Sequence, residues 1–464
     1  MFHRLERRLQ RAVADHLRDC FGITDLPVAL EEPRQKSFGE LAIPVAFQLA
    51  RRLRKPPRAI AEELAAQLPA VEGIASLEVA GGGYINARFD RGYYGWALLS
   101  GAEEVVEPVP GKVIVEHTNI NPNKAAHIGH LRNAVLGDTF VRMLRAVGRQ
   151  VEVQNYIDNT GVQVADVAVG FHFLEGKSAD EVAQLATADR FDYYCWDLYA
   201  RVSAYYQDHP EALAWRQQAL HAIEAGEGEL ARIAQVVADN IMLAHLRTMR
   251  RLGITYDVLP RESEILKLQF WATAFELLKQ RGAIYYETAG KNAGCWVMPA
   301  RFFSKGSVPE DESKVIVRSD GTVTYVGKDI AYQLWKFGLL GKDFYYRPLL
   351  VEEDGHTVWV TTDEPQPYPA PQFGRATEVY NVIDSRQSYL QDVVAAGLRA
   401  LGFTEQAEKS IHFAYEMVAL SPRTCVELGI ELNEEDRHRP YVEVWGRQGL
   451  GVKADDCIDK LIGR

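Results

Sequence analysis

The chain has 464 residues, 47% hydrophobic and 25% charged, so it can bury large cores and hold two or three domains. Its 63 acidic and 52 basic residues leave a formal charge of -11, which excludes a non-specific nucleic-acid binder, because a polyanion is repelled over most of the surface and needs local basic patches. The 5 cysteines, Cys20, Cys195, Cys295, Cys425 and Cys457, form no Cys-x-x-Cys pair, so neither a zinc knuckle nor a disulfide framework is expected, and they read as free thiols in a reducing cytoplasm. In chain order, Leu5, Leu9, Val13 and Leu17 recur every four residues and predict an amphipathic helix ending near Gly22. Glu6 and Asp15 interrupt its arginines, and it lacks the unbroken apolar core of a signal peptide. A second helical stretch is predicted from Leu41 to Leu68, then a strand region from Val79 to Phe89. Residues 1–105 thus read as a small α+β domain, with acidic, proline-containing Glu103–Gly111 as its linker. Lys112-Val-Ile-Val115 is a β-branched run that reads as a buried strand. Behind it Leu131, Val135, Met143, Leu144 and Val147 trace a helical period ending at Gly148. Residues 112–464 read as an α/β nucleotide-binding domain with a mainly helical insertion at about 166–301. The aromatics Tyr193, Tyr194, Trp196, Tyr199, Tyr205 and Tyr206 are expected to pack between the helices of that insertion. Asp354-Gly355 reads as a hairpin turn, and no run is long and apolar enough to span a membrane.

The junction of strand and helix carries the chemistry. Asn121-Pro-Asn-Lys-Ala-Ala-His-Ile-Gly-His130 puts two histidines at a helix N-terminus, where unpaired N–H groups and the helix dipole favour an anion. Gly129, lacking a Cβ, allows a nucleotide to approach the backbone. A triphosphate suits the place, and His127 and His130 are candidates to stabilise charge growing on an α-phosphate under attack.

Extended upstream, Glu116-His-Thr-Asn-Ile-Asn-Pro-Asn-Lys-Ala-Ala-His-Ile-Gly-His130 resembles the first motif of class I aminoacyl-tRNA synthetases, in the form carried by arginyl-tRNA synthetases. Thr324-Tyr-Val-Gly-Lys-Asp-Ile-Ala331 resembles that family's Tyr-x-x-x-Asp motif, and Tyr380-Asn-Val-Ile-Asp-Ser-Arg-Gln387 the next strand of its nucleotide fold. Gly446-Arg-Gln-Gly-Leu-Gly-Val-Lys-Ala-Asp-Asp456 resembles the loop that replaces Lys-Met-Ser-Lys-Ser in some members. The resemblance covers nearly the whole chain. It implies a Rossmann-like class I synthetase catalytic domain with a helical insertion, preceded by an α+β N-terminal domain that contacts tRNA.

By that resemblance, the activity expected is arginine–tRNA ligation: L-arginine and ATP, with Mg2+, give arginyl-adenylate, and the arginyl group passes to the 3' end of tRNA(Arg). An arginine pocket needs acceptors arranged for a planar, five-donor cation. Tyr325, Asp329 and Glu262 match the guanidinium-binding positions, although a Glu opening a helix is also a favourable first-turn charge. Glu116, Asn119, Asn121 and Gln387 match positions around the α-amino and carboxylate groups. Lys124 occupies the place of the lysine that compensates for a missing Lys-Met-Ser-Lys-Ser, and Lys453 is the other cation candidate for ATP; Gln448 departs from the basic residue expected in that loop.

Tyr84 and Asn86, in Gly81-Gly-Gly-Tyr-Ile-Asn86, match an aromatic and an amide that meet a D-loop base, while the catalytic domain would receive the acceptor arm. Arg51, Arg52, Arg54, Lys55 and Arg58 form a basic cluster suited to phosphates. No protein-held metal is expected, and the chain is expected to be a cytoplasmic monomer. The family's helical anticodon-reading domain has no counterpart before Arg464. Two other readings therefore stand beside the ligase: a truncated paralogue that activates arginine for a non-tRNA acceptor, and a non-catalytic arginine- and ATP-binding regulatory protein.

Overall fold

The computed structural model describes residues 1–100, 108–303, 313–319, 321, 324–443 and 451–463, without the side chains of Tyr325 and Glu443. The chain divides into two compact units, Met1–Glu107 and Pro108–Arg464. In the first, α1 (Phe2–Phe21) buries Leu5, Leu9, Val13 and Leu17 and ends at Gly22, whose positive φ lets Ile23 N–H reach back to the Leu17 carbonyl at 3.1 Å. The helix predicted over Leu41–Leu68 is instead β1 (Leu41–Ile43), α2 (Val45–Leu53) and α3 (Pro57–Gln67). Pro44 and the Pro56-Pro57 pair, which lack amide donors, break the stretch at both joints. The predicted strand region is a hairpin of β2 (Ile74–Ala80) and β3 (Tyr84–Phe89) turned at 81–83, and the sheet order is β1-β3-β2. A last helix, α4 (Arg91–Leu99), is capped by the Asp90 carboxylate, which accepts from Tyr93 N–H at 3.0 Å.

The second unit opens with β4 (Val109–Glu116), whose start takes in residues assigned above to a linker: Val109 pairs with Arg149 across a register shift. Val113, Ile114 and Val115 are fully buried, as a central parallel strand requires. Next come α5 (Ile128–Ala146) and β5 (Arg149–Gln154), then the helices α6 (Val162–Val169), α7 (Ala179–Leu185), α8 (Phe191–Asp208), α9 (Leu213–Ala225) and α10 (Gly228–Arg250). The chain then returns to the main sheet as β6 (Val258–Leu259), so the expected insertion over 166–301 is not one block. Two residues are too short a strand to show a period. Beyond β6 lie α11 (Glu262–Lys267), α12 (Phe270–Gln280) and a small antiparallel sheet of β7 (Tyr285–Tyr286), β8 (Trp296–Pro299) and β9 (Ser313–Val317). They are followed by α13 (Tyr325–Lys336), the hairpin β10 (Tyr345–Val351) and β11 (Thr357–Thr362), β12 (Glu378–Asp384), α14 (Ser388–Ala400) and β13 (Ser410–Tyr415).

The seven strands stand in the order β10-β11-β6-β5-β4-β12-β13, parallel except for edge strand β10. Helix α5 packs differently from its apolar period. Val135 and Met143 are exposed, while Asn133, Ala134, Gly137 and Val141 are buried. The reason is closeness: a Cβ on Gly137 would lie 2.3 Å from Cγ of buried His117, so small residues form the inner face. Among the described residues no helix is long and apolar enough to cross a membrane.

Helices α6 to α10 share their own core, including Val167, Leu198, Val237 and Ile241. Within it Asp166 is buried and accepts two hydrogen bonds from Arg216, at 2.7 and 2.9 Å, and one from Tyr206 O–H at 3.2 Å. Removing one side of such a pair strands the other. Asp166→Ala is expected to destabilise these helices by about 3 kcal/mol, the low end for a buried pair because Arg216 keeps some contact with solvent. Native-state hydrogen exchange of α6 and α9 measures this; unchanged protection would show that the pair contributes nothing net.

Candidate active site

The strand order reverses between β4 and β12, and a doubly wound sheet leaves its binding crevice at the carboxyl ends of such strands. A cavity of about 160 Å³ lies there, lined among others by Glu116, Asn119, Asp329, Lys336, Asn381 and Gln387. The structure thus brings together Glu116 and Asn119 at the end of β4, Asp329 on α13 and Gln387 after β12, from three separate segments. Asn121 does not line this cavity; its carbonyl accepts from Asn123 N–H at 2.8 Å. Tyr325 opens α13, and its side chain lies outside the described residues.

At the end of β4 the backbone turns through Thr118 (φ 77°) and Asn119 (φ 44°), a region that side chains other than glycine rarely occupy. Buried amides hold it. Thr118 N–H donates to Asn133 Oδ1 at 2.6 Å, Asn119 N–H to Asn155 Oδ1 at 3.0 Å, and Tyr156 N–H to Asn119 Oδ1 at 2.8 Å. The Asn119 amide also donates to Glu116 Oε1 at 2.7 Å, which aims the carboxylate into the cavity wall.

Two lysines that sequence reasoning missed as site residues occupy the carboxylates. Buried Lys336 Nζ lies 2.5 Å from Glu116 Oε2 and donates to Asn381 Oδ1 at 2.9 Å. Lys328 Nζ lies 2.5 Å from Glu262 Oε1. The signal for Lys336 was the polar spacing Asp329, Gln333, Lys336, one face of a helix. Glu262 is more than a first-turn charge: although it opens α11, it also accepts from Tyr156 O–H at 3.2 Å. Burial raises Glu262, but Lys328 and hydrogen bonds from Asp158 and Thr160 outweigh it and hold the group below the usual carboxylate range. Asp158 is driven the other way, by burial and the Glu262 charge. Burial first, then the charges of Glu262 and Glu116, push Asp329 up to about 7.

The two histidines cap α5 reciprocally. Gly129 N–H donates to His127 Nδ1 at 3.1 Å and His127 N–H to His130 Nδ1 at 3.2 Å, and the rings stack 3.5 Å apart. Because each Nδ1 accepts, the neutral rings carry their protons on Nε2. Burial, with the Lys124 and His245 charges, pushes His127 down to about 4; burial, with His127, His245 and Lys124, holds His130 well below its ordinary value. Gly129 also has an internal reason, since a Cβ there would come 2.9 Å from the His127 ring.

Lys124 and Lys453 stand beside this cap. His245 Nε2–H donates to the Lys124 carbonyl at 2.8 Å, and the Lys453 backbone forms an antiparallel bridge with His127. Lys124 Nζ lies 4.7 Å from the Trp196 ring centroid and 5.4 Å from that of Tyr199; Lys453 Nζ lies 4.8 Å from Tyr193 and 5.2 Å from Trp196. These aromatics were expected to do no more than pack between helices, and here three of them face cations. Gln448, with Gly446 and Gly449, lies outside the described residues. Among the described residues no three His, Cys, Asp or Glu side chains group to hold a metal. The donors beside the cap are lysine and imidazole, which do not fit a hard cation. In the first unit Tyr84 is exposed and packs edge-on against Phe47 at 4.9 Å, whereas Asn86 is buried.

Residues 7–89 match the family described as Arginyl tRNA synthetase N terminal domain, and residues 97–343 match tRNA synthetases class I (R), catalytic domain. The arginine–tRNA ligase of Thermococcus kodakarensis is 37% identical over 480 residues, covering 99% of this chain and 70% of its own length. The chain belongs to the class I arginyl-tRNA synthetases. The ligase of Deinococcus radiodurans is 36% identical, over 93% of this chain and 65% of its own. The structure titled Thermus thermophilus arginyl-tRNA synthetase superposes with a TM-score of 0.74 at 32% identity, over 98% of this chain and 69% of the other. The chain therefore spans between 65% and 70% of the length of these relatives. Ligase relatives over nearly the whole chain, with the class I catalytic domain, support arginine–tRNA ligase activity, and the family implies ATP, arginine and tRNA as substrates.

The titration of Asp329 gives a pH dependence. Below about 7 the carboxyl is protonated and offers a cation no charge; above it the carboxylate attracts one. Arginine affinity is expected to fall as pH drops through 7, by up to about tenfold per unit. Calorimetric titration between pH 5.5 and 8.5 measures this, and a flat profile would exclude Asp329 from the pocket.

Proposed function

We propose that the arginine guanidinium enters the cavity against Asp329, with Glu262 adding charge behind it, and that Glu116, Asn119 and Gln387 orient the α-amino and carboxylate ends. The arginine carboxylate oxygen then attacks the α-phosphorus of ATP. A new P–O bond forms, the bond from the α-phosphorus to the bridging oxygen breaks, and pyrophosphate leaves. His127 and His130 donate Nε2–H to the α-phosphate oxygens as charge builds on them, while Lys124 and Lys453 neutralise the departing pyrophosphate. In the second step a hydroxyl of the terminal tRNA ribose attacks the carbonyl carbon and AMP leaves. Mg2+ is proposed to arrive on ATP rather than on protein ligands. Tyr84 is proposed to stack on a D-loop base and the second unit to receive the acceptor arm, in the cytoplasm where tRNA and ATP are held.

The observation that carries this reading is the cavity at the β4/β12 reversal, lined by Asp329 of α13 and by Glu116 at the end of the strand whose following loop leads into the histidine-capped helix. Arginine-dependent ATP–pyrophosphate exchange, with and without tRNA, tests it. Exchange that needs tRNA is expected; exchange without tRNA would favour a different acceptor, and none in either condition would favour a binding protein. Asp329→Ala should raise the arginine KM at least about 100-fold and leave the ATP KM within about threefold, as expected for a buried charge pair that loses one member. Lys124→Ala should lower kcat about 10²-fold with little change in ATP binding; a neutral result would move that role to Lys453.

A further inference from the structure

We propose that Trp196 is a positioning residue for both lysines of the nucleotide half, a single ring that holds the Lys124 and Lys453 ammonium groups ready for the triphosphate. The idea rests on the reaction proposed above. The lysines are more than three hundred residues apart in sequence, and Trp196 comes from a third place, helix α8 of the insertion. Of the two lysines Tyr199 faces Lys124 and Tyr193 faces Lys453, Tyr193 also meeting Arg190 at 4.7 Å, but the Trp196 centroid lies 4.7 Å from one lysine ammonium and 5.2 Å from the other. The same ring stands edge-on to His127 at 6.4 Å and is only 4% exposed, so it is fixed relative to the cap.

The backbones of both lysines are tied down, by His245 and by the bridge to His127, yet each ammonium sits at the end of a flexible four-carbon stem. An indole face attracts a cation more strongly than any other side-chain ring. That suffices to bias two stems toward one place despite their mutual repulsion. It is also weaker than a charge-assisted contact to phosphate, so an arriving triphosphate can draw both cations off the ring without a large barrier. Seven of the chain's 8 tryptophans lie elsewhere.

The test uses the full chain with Trp196→Leu, which keeps apolar bulk, and Trp196→Phe, which keeps a weaker ring. Without ATP, acylation by an amine-reactive reagent is followed by mass spectrometry at each lysine. Lys124 and Lys453 should both react about threefold or more faster in Trp196→Leu, by an intermediate factor in Trp196→Phe, and other lysines at the wild-type rate. In pyrophosphate exchange the Leu variant should lose about tenfold in kcat with the ATP KM within twofold, and the Phe variant should recover most of it. Unchanged labelling of both lysines, even with lost activity, would reduce Trp196 to packing and overturn the proposal; a response at one lysine would overturn the shared role. If Trp196→Leu fails to fold, the Phe variant decides by the same labelling. An inactive wild type would refute the proposed reaction, whereas labelling alone still judges the ring.

Discussion

Two consecutive residues at positive φ, Thr118 and Asn119, join the cavity at the β4/β12 reversal to the loop that leads into the histidine-capped helix α5, and the placement of both rests on that turn. Such backbone costs about 1–3 kcal/mol per residue. Several hydrogen bonds converge on it, among them three in which the side-chain oxygens of Asn133, Asn155 and Asn119 accept from backbone N–H groups, one between Thr118 Oγ1 and Tyr256 O–H at 2.7 Å, and one from Asn119 to Glu116. At about 1 kcal/mol net each they match the cost, and the loss of the two buried ones, on Thr118, is felt in full. Asn133 in turn donates to the Val382 carbonyl of β12 at 2.8 Å, so the strained turn is braced across the sheet reversal that opens the cavity. Strain and binding crevice share one set of contacts.

The cavity is also neutralised before any substrate arrives. Glu116 has Lys336, and burial with the charges of Glu262 and Glu116 raises Asp329; beside the cavity, outside its lining, Glu262 has Lys328. Isolated carboxylates in such a place would be costly, and each resident cation offsets that cost. The consequence for recognition is competition. Under the proposed function a guanidinium that reaches Glu262 meets Lys328 already seated, so it must offer more than charge. Its planar fork of donors does so, whereas a lysine substrate would only replace one ammonium with another.

Much of this was legible in the sequence. The buried run at Val113–Val115, the stop at Gly22, the Asp354-Gly355 turn and the histidine-bearing helix start are local signals, and the structure carries each of them. The inner face of α5 was not legible, because close packing on His117 selected Gly137 and Ala134 over Val135 and Met143. Nor was β6, two residues inserted into a sheet from a helical surrounding. The pairing of Lys336 with Glu116 joins segments 220 positions apart, and only the fold brings them together. The aromatics of α8 show the same limit from the other side. Composition gave a reason to bury them, but not the lysines they would meet.

The two halves of the site answer to pH differently, and this follows from what surrounds each. Asp329 is pushed up to about 7, by burial first and then by the charges of Glu262 and Glu116. His127 is pushed down to about 4 by burial beside cations, so it stays a neutral Nε2–H donor throughout the range in which Asp329 changes charge. Protonating the histidine would add a third positive charge next to two lysines, and its Nδ1 would lose its role as acceptor for the α5 cap. Holding the imidazoles neutral therefore preserves both the helix start and a fixed pair of donors. The cap that builds the helix and the donors proposed to face the α-phosphate are the two ends of the same rings, and one tautomer serves both.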